Sequence, residues 1–150
     1  MGIPVLILGE SGSGKSASMR NFDEKEIGIF NVAAKPLPFR KKLPKVDNAS
    51  YAKIEKVLAD PKLKTYVIDD SQYLLAFDFF DRAKEIGYQK FTDMAVAFRN
   101  LIQFVIAQTP PDVIVYFMHH VERREDGVLK AKTLVARLQE GDIRGSRLLF

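Results

Sequence analysis

Cysteine is absent from the chain. Its absence excludes disulfides and thiolate metal sites and fits a reducing compartment, so the cytoplasm is the expected location. No stretch approaches the roughly 20 consecutive apolar residues that a membrane-spanning helix needs. The first residues do not set an apolar segment behind a basic one, as an export signal does, and no membrane partner is expected. Internal repeats and low-complexity tracts are also missing. Histidine occurs twice, as the adjacent pair His119 and His120. Acid falls short of base: the 150 residues carry a net charge of +4 and a pI near 9.3, which leans toward polyanionic partners. A hydrophobic share of 47% is ordinary for a packed core, and the length suits a single domain over residues 1–150.

What the chain does have is Gly9-Glu-Ser-Gly-Ser-Gly-Lys-Ser16. This fits the phosphate-binding pattern G-x-x-x-x-G-K-[ST]. The apolar run from Ile3 to Leu8 precedes it, and Ala17-Ser18-Met19-Arg20 follows as expected helix, giving the order strand, loop, helix. Glycines at 9, 12 and 14 let successive amides point inward as a nest for phosphate oxygens. A helix starting near Gly14 would aim its positive end at the same place. In this reading Lys15 reaches the β- and γ-phosphates of a nucleotide, and Ser16 ligates Mg²⁺.

Ile27 to Val32 reads as a second strand. Residues 35–45 hold three prolines and five basic residues with no acid, which predicts irregular structure. The segment is either a solvated connection or a surface for single-stranded DNA or nucleotide phosphates, with Phe39 free to stack on a base. Asn48 or Ser50 can cap a helix through Ala59. Thr65-Tyr-Val-Ile-Asp-Asp70 looks like a buried parallel strand delivering carboxylates to its carboxyl end. There Asp69 would answer Mg²⁺ from across the sheet, while Asp70 either handles the attacking water or, with Ser71, caps the next helix. That helix is expected over 72–86, stopping at Gly87, with apolar residues on more than one face, which predicts that it packs under another element or a partner. A longer helix is expected from about Thr92 to before Pro110, then a strand over 113–118. His119 and His120 follow directly, where an imidazole can sense a γ-phosphate; structural contacts and a metal site are the alternatives. Asp126-Gly127 marks a hairpin turn, with Arg123 and Arg124 as exposed arginines that either act on a neighbouring nucleotide or are solvated. Leu134, Val135 and Leu138 suggest a short helix. The apolar ending Leu148-Leu149-Phe150 suggests either a shortened chain or a buried terminal strand.

The loop at 9–16, the segment Ile29 to Leu43, Val67-Ile-Asp-Asp-Ser-Gln-Tyr-Leu74, and Val113 to His120 with Asp126-Gly127 together resemble the RecA-like, AAA-type ATP-binding proteins of phages and prophages, a group linked to single-strand annealing. The resemblance covers the chain to about Thr133. It implies a three-layer α/β/α fold with a mostly parallel sheet, in which the His119 strand lies between the loop strand and the Asp69 strand. It implies ATP and Mg²⁺ as cofactors, hydrolysis, work beside DNA in a bacterial host, and assembly into homo-oligomers. The chain departs from RecA-type enzymes where it reads Asn31-Val-Ala-Ala34 in place of a catalytic glutamate, and again after Thr133, where the family continues into further strands.

The expected nucleotide contacts are Gly9, Glu10, Ser11, Gly12, Ser13, Gly14, Lys15, Ser16 and Ala17. The expected metal ligands are Ser16 and Asp69, and the expected catalytic group is Lys15, Asp70, His119 and His120. The function expected is Mg²⁺-dependent ATP binding with ATPase activity in phage recombination or replication. A small-molecule or nucleotide kinase and a non-hydrolysing ATP-responsive module are the alternatives.

Overall fold

The computed structural model describes residues 1–10 and 12–132, together with the backbone of 147–149. Ser11 and the expected helix around Leu134, Val135 and Leu138 lie outside the described residues. The apolar runs become strands: β1 is Ile3–Gly9, β2 Ile27–Asn31, β3 Lys45–Asp47, β4 Thr65–Asp69 and β5 Ile114–Arg123, with short β6 at Leu129–Ala131 and β7 at Arg147–Leu149. They form one sheet in the order β3-β2-β4-β5-β1-β7, with β6 on β5. Every pairing is parallel except the β5–β6 hairpin, whose turn contains Asp126-Gly127. As expected, β5 lies between the loop strand β1 and the Asp69 strand β4. The terminal strand is present as β7, parallel to β1.

Side chains alternate across each strand, and the two faces receive different covers. Leu6 and Leu8, Phe30, Tyr66 and Ile68, and Val115 and Phe117 enter the larger core cluster. Three helices close this face: α1 at Tyr51–Ala59, α2 at Gln72–Asp81 and α3 at Gln89–Gln108. Helix α1 starts where Ser50 accepts a hydrogen bond from the Lys53 amide, satisfying a donor that would otherwise lack a partner. Helix α3 places Met94, Phe98, Leu101, Ile102 and Val105 in the core at three- and four-residue spacing. Helix α2 ends earlier than expected, at Asp81. The reason is that nothing lies above its continuation: Ile86 is fully exposed, so extra turns would bury no apolar surface to offset their ordering. Phe77 and Phe80 on α2 are also exposed among the described residues.

The opposite face is covered without α-helix among the described residues. Ile27, Ile29, Val67 and Met118 pack under Met19 and Leu43, with Leu37 and Phe39 against them. Met19 sits on a 3-10 turn over Ala17–Asn21, and this short turn stands where a full helix was expected. Leu37, Phe39 and Leu43 come from the proline-rich segment, whose prolines keep it irregular while its apolar side chains reach the sheet. One expectation is therefore adjusted: the described residues form a sheet with one helical layer and one thin irregular layer where three full layers were expected. Phe39 is half-buried in that packing. Lys45, expected in the loop, starts the edge strand β3.

Candidate functional site

The carboxyl ends of β1, β2, β4 and β5 lie together: Gly9 is in register with His120, and Asn31 with Asp69. On the thinly covered face, the apolar residues Ile29, Val67 and Met118 are followed two positions later by Asn31, Asp69 and His120. One face thus changes from oil to polar groups near the carboxyl ends of three neighbouring strands, at the same level in β2 and β4 and two residues further along in β5. The glycine loop closes over this edge. Gly12 and Gly14 adopt φ of +79° and +90°, a left-handed conformation that glycine enters without a Cβ penalty. No acceptor among the described residues takes the amides of Gly14, Lys15 and Ser16, the condition for a concave amide nest.

Lys15 is buried within the loop, where its Nζ donates to Gly9 O at 2.7 Å and Glu10 O at 2.9 Å and contacts Ser13 Oγ at 3.4 Å. Burial lowers its pKa from the ordinary lysine value, and the nearby Asp70 and Asp69 carboxylates oppose that shift. Ser16 Oγ donates to Asp69 Oδ1 at 2.8 Å, across 53 positions of sequence. Asp69 is buried, and loss of solvation raises its pKa, against the Ser16 hydrogen bond that lowers it. Ser16 Oγ and Asp69 Oδ1 are hard oxygen donors side by side, the donor type suited to Mg²⁺.

Asp70 leaves the strand with φ of +54°. Its Oδ1 lies 3.1 Å from His120 Nε2 and its Oδ2 3.4 Å from Lys35 Nζ. It does not cap α2, and neither does the Ser71 hydroxyl, which faces the interior. His120 is titrated downward, first by burial and next by Lys15. Gly12, Gly14, Lys15, Ser16 and Ala17 of the loop, Asp69, Asp70 and His120 from the strand ends, and Lys35, Pro36 and Pro38 from the segment after β2 line a cleft of about 340 Å³. That volume lies within the range of small-ligand sites.

Two expected members stand apart. His119 faces the helical core, fully buried, with Nδ1 2.8 Å from Ser71 Oγ and Nε2 2.7 Å from Lys132 O. The carbonyl can only accept, so Nε2 carries the proton and Nδ1 accepts from Ser71. Burial pushes the ring down to about 4, and both nitrogens are engaged away from the cleft; of the two histidines, His120 alone lines it. The Glu10 side chain is exposed and 3.7 Å from Arg123, which also donates to Gly127 O. Arg124 lies 3.7 Å from Asp126. Among the described residues no cluster of three or more His, Cys, Asp or Glu could hold a metal, so a histidine-pair metal site has no third ligand there.

The sequence offered Lys35 only as one member of the basic 35–45 segment and gave Asn31 no contact. The period-two switch from apolar to polar on one sheet face was the signal that could have found Asn31 and separated His120 from His119. No family model matches the chain, and no curated protein matches it.

Proposed function

We propose that the chain binds a nucleoside triphosphate with Mg²⁺ in this cleft and hydrolyses it. The observation that carries the reading is the Ser16–Asp69 hydrogen bond beside the glycine loop. It joins a loop hydroxyl and a strand-end carboxylate in the pairing that phosphate-loop proteins use for the cation. The arrangement of β5 between β1 and β4 supports the same reading, as do the amides of Gly14, Lys15 and Ser16, which meet no acceptor among the described residues.

The loop amides and Lys15 hold the β- and γ-phosphates, with Lys15 exchanging a loop carbonyl for a phosphate oxygen. Ser16 and Asp69 would hold Mg²⁺, which would supply positive charge at the phosphate oxygens. Asp70 is the carboxylate in the cleft that is not assigned to the cation. It takes the proton of the attacking water while the new oxygen–phosphorus bond forms. The bridging oxygen–phosphorus bond breaks, and its electron pair leaves with the nucleoside diphosphate. Catalysis of this kind rests on positioned charge. The resemblance to phage RecA-like proteins favours ATP as the nucleotide and single-stranded DNA as a partner met by exposed Arg40, Lys41 and Lys42. One observation favours a slow or non-hydrolysing variant: both Asp70 oxygens already have cationic or imidazole neighbours.

Titration of the protein with ATP and with a non-hydrolysable analogue, with and without Mg²⁺, tests the reading. Asp69→Ala is expected to weaken Mg²⁺-dependent binding by about 10–100-fold, the scale seen when groups supporting a metal are removed. Binding in chelator should stay close to wild type. Equal losses in both conditions would refute the assignment of Asp69. Phosphate release with wild type but not Asp70→Asn separates hydrolysis from binding alone.

A further inference from the structure

Lys35 is the cation of the cleft that the loop pattern does not supply. It stands after β2, beyond Asn31-Val-Ala-Ala34, and its position is built rather than incidental. The buried Asn31 side-chain amide donates to the Lys35 carbonyl. Ala34 turns the chain with φ of +54°, a conformation that costs a non-glycine residue and persists when its surroundings demand it. The Lys35 ammonium is held between Asp70 Oδ2 at 3.4 Å and Tyr73 Oη at 3.2 Å, and it lies 4.7 Å from the Tyr73 ring centre. Half of its side chain remains exposed. The hydrogen bond to Tyr73 raises its pKa above the ordinary lysine value, so the group stays charged. Lys15 and Lys35 therefore line one cleft together with Asp69, Asp70 and His120.

These two lysines differ in what holds them. Lys15 is bonded to carbonyls of the glycine loop and is buried. Lys35 is bonded to the carboxylate that the hydrolytic reading needs free and comes from the segment after β2, not from the loop. A terminal phosphoryl group entering beside Asp70 brings negative charge close to that carboxylate, which is unfavourable unless a cation lies between them. Lys35 has the length, the charge and the donors to bridge both. The neighbouring arginines are engaged elsewhere, Arg123 with Glu10 and Gly127 and Arg124 with Asp126.

We propose that Lys35 is the residue by which the site reads the terminal phosphate, distinguishing a nucleoside triphosphate from a diphosphate. The inference rests on the nucleotide reading of the cleft given above. Lys35 shifts from Asp70 to the terminal phosphoryl oxygen when a triphosphate is bound, supplying charge in cis and releasing one Asp70 oxygen toward water. A diphosphate leaves the lysine on Asp70.

The test compares affinity for a non-hydrolysable ATP analogue with affinity for ADP, both with Mg²⁺, in wild type, Lys35→Ala, Lys35→Arg and Tyr73→Phe. Thermal unfolding of each variant monitors folding. Removing one charge-assisted contact made only with the terminal phosphate is expected to cut the triphosphate-over-diphosphate preference by about 10-fold in Lys35→Ala, with ADP affinity unchanged. Lys35→Arg should restore most of the preference. Tyr73→Phe, which keeps the ring but removes the hydroxyl, should reduce it less than Lys35→Ala does. An equal loss for ADP and the analogue in Lys35→Ala, or an unchanged ratio, overturns the inference while leaving the nucleotide site standing. Failure of wild type to bind either nucleotide overturns the site itself.

Discussion

The two faces of the sheet use the same strands differently. On the helical face Phe30 leads to Val32 and Phe117 leads to His119, and all four are buried beneath α-helices. Even the polar member is silenced there, with one ring nitrogen on Ser71 and the other on a carbonyl. On the opposite face Ile29, Val67 and Met118 lead to Asn31, Asp69 and His120, and the cover is a 3-10 turn and an irregular segment. A thick helical cover favours packing and excludes water from everything under it. A thin cover built from loops leaves the carboxyl edge open, so the same strand ends can meet a ligand. Residues 119 and 120 show how sharply the boundary runs: one step along β5 exchanges a core position for the cleft.

The comparison breaks first on stability. Phe98 is fully buried and packs edge-on against both Phe117 and His119. Phe98→Ala is expected to cost about 4 kcal/mol, because a helix fixed on its neighbours cannot collapse into the space left. Leu43→Ala, within the irregular segment, should cost about 2 kcal/mol, at the low end for a buried leucine, because a loop can close over the gap. Urea unfolding of both variants measures the pair. Equal losses would mean that the loop-side cover is as rigid as the helical one.

The paired histidines sharpen it with pH. His119 has an ordinary value of 6.5 that burial takes to about 4, so the fold holds the neutral ring and the unfolded chain binds the proton first. The stabilisation is present in full above pH 6.5 and is lost as pH falls toward 4, by about 3 kcal/mol across that window. Unfolding free energies of wild type and His119→Gln, measured from pH 7 to pH 4, should converge as the pH drops. His120→Gln, at the partly open cleft, should leave most of that pH dependence in place. If His120→Gln flattens the curve as strongly as His119→Gln, the two faces are not distinct in this respect.

Much of this was legible in residue order. The apolar runs at 3–8, 65–68 and 113–118 became neighbouring parallel strands, and Ser16 and Asp69 were brought together as their types and positions suggested. What could not be read was how each segment would be covered. Ala17 to Arg20 carry no marker that distinguishes a long helix from a 3-10 turn, because the choice depends on what Met19 packs against. Among the described residues the third layer is thin at the same point, since a proline-rich stretch with Leu37, Phe39 and Leu43 at useful spacing serves as a cover without being helix. Lys35 was hidden for a related reason. In sequence it begins a basic segment, and only the Asn31 hydrogen bond and the turn at Ala34 aim it into the cleft.

The remaining basic residues of that segment give the smallest expected effect and test whether the thin cover has an outer function of its own. They are not equivalent. Lys41 donates to the Phe22 carbonyl and ties the segment to the 3-10 turn, and Lys45 pairs with Asp47 on β3. Arg40 and Lys42 are exposed, and neither lines the cleft. If the outer surface meets single-stranded DNA, Arg40→Gln with Lys42→Gln should reduce the slope of log affinity against log salt by about 1.4, the counterion release of two phosphate contacts. Nucleotide affinity should not change, because the inner side of the segment keeps its packing. Fluorescence titration with a labelled oligonucleotide at several salt concentrations measures the slope. An unchanged slope assigns the segment to the inner side alone, as a lid over Ile29, Val67 and Met118 whose charges serve only to keep its outer surface in water.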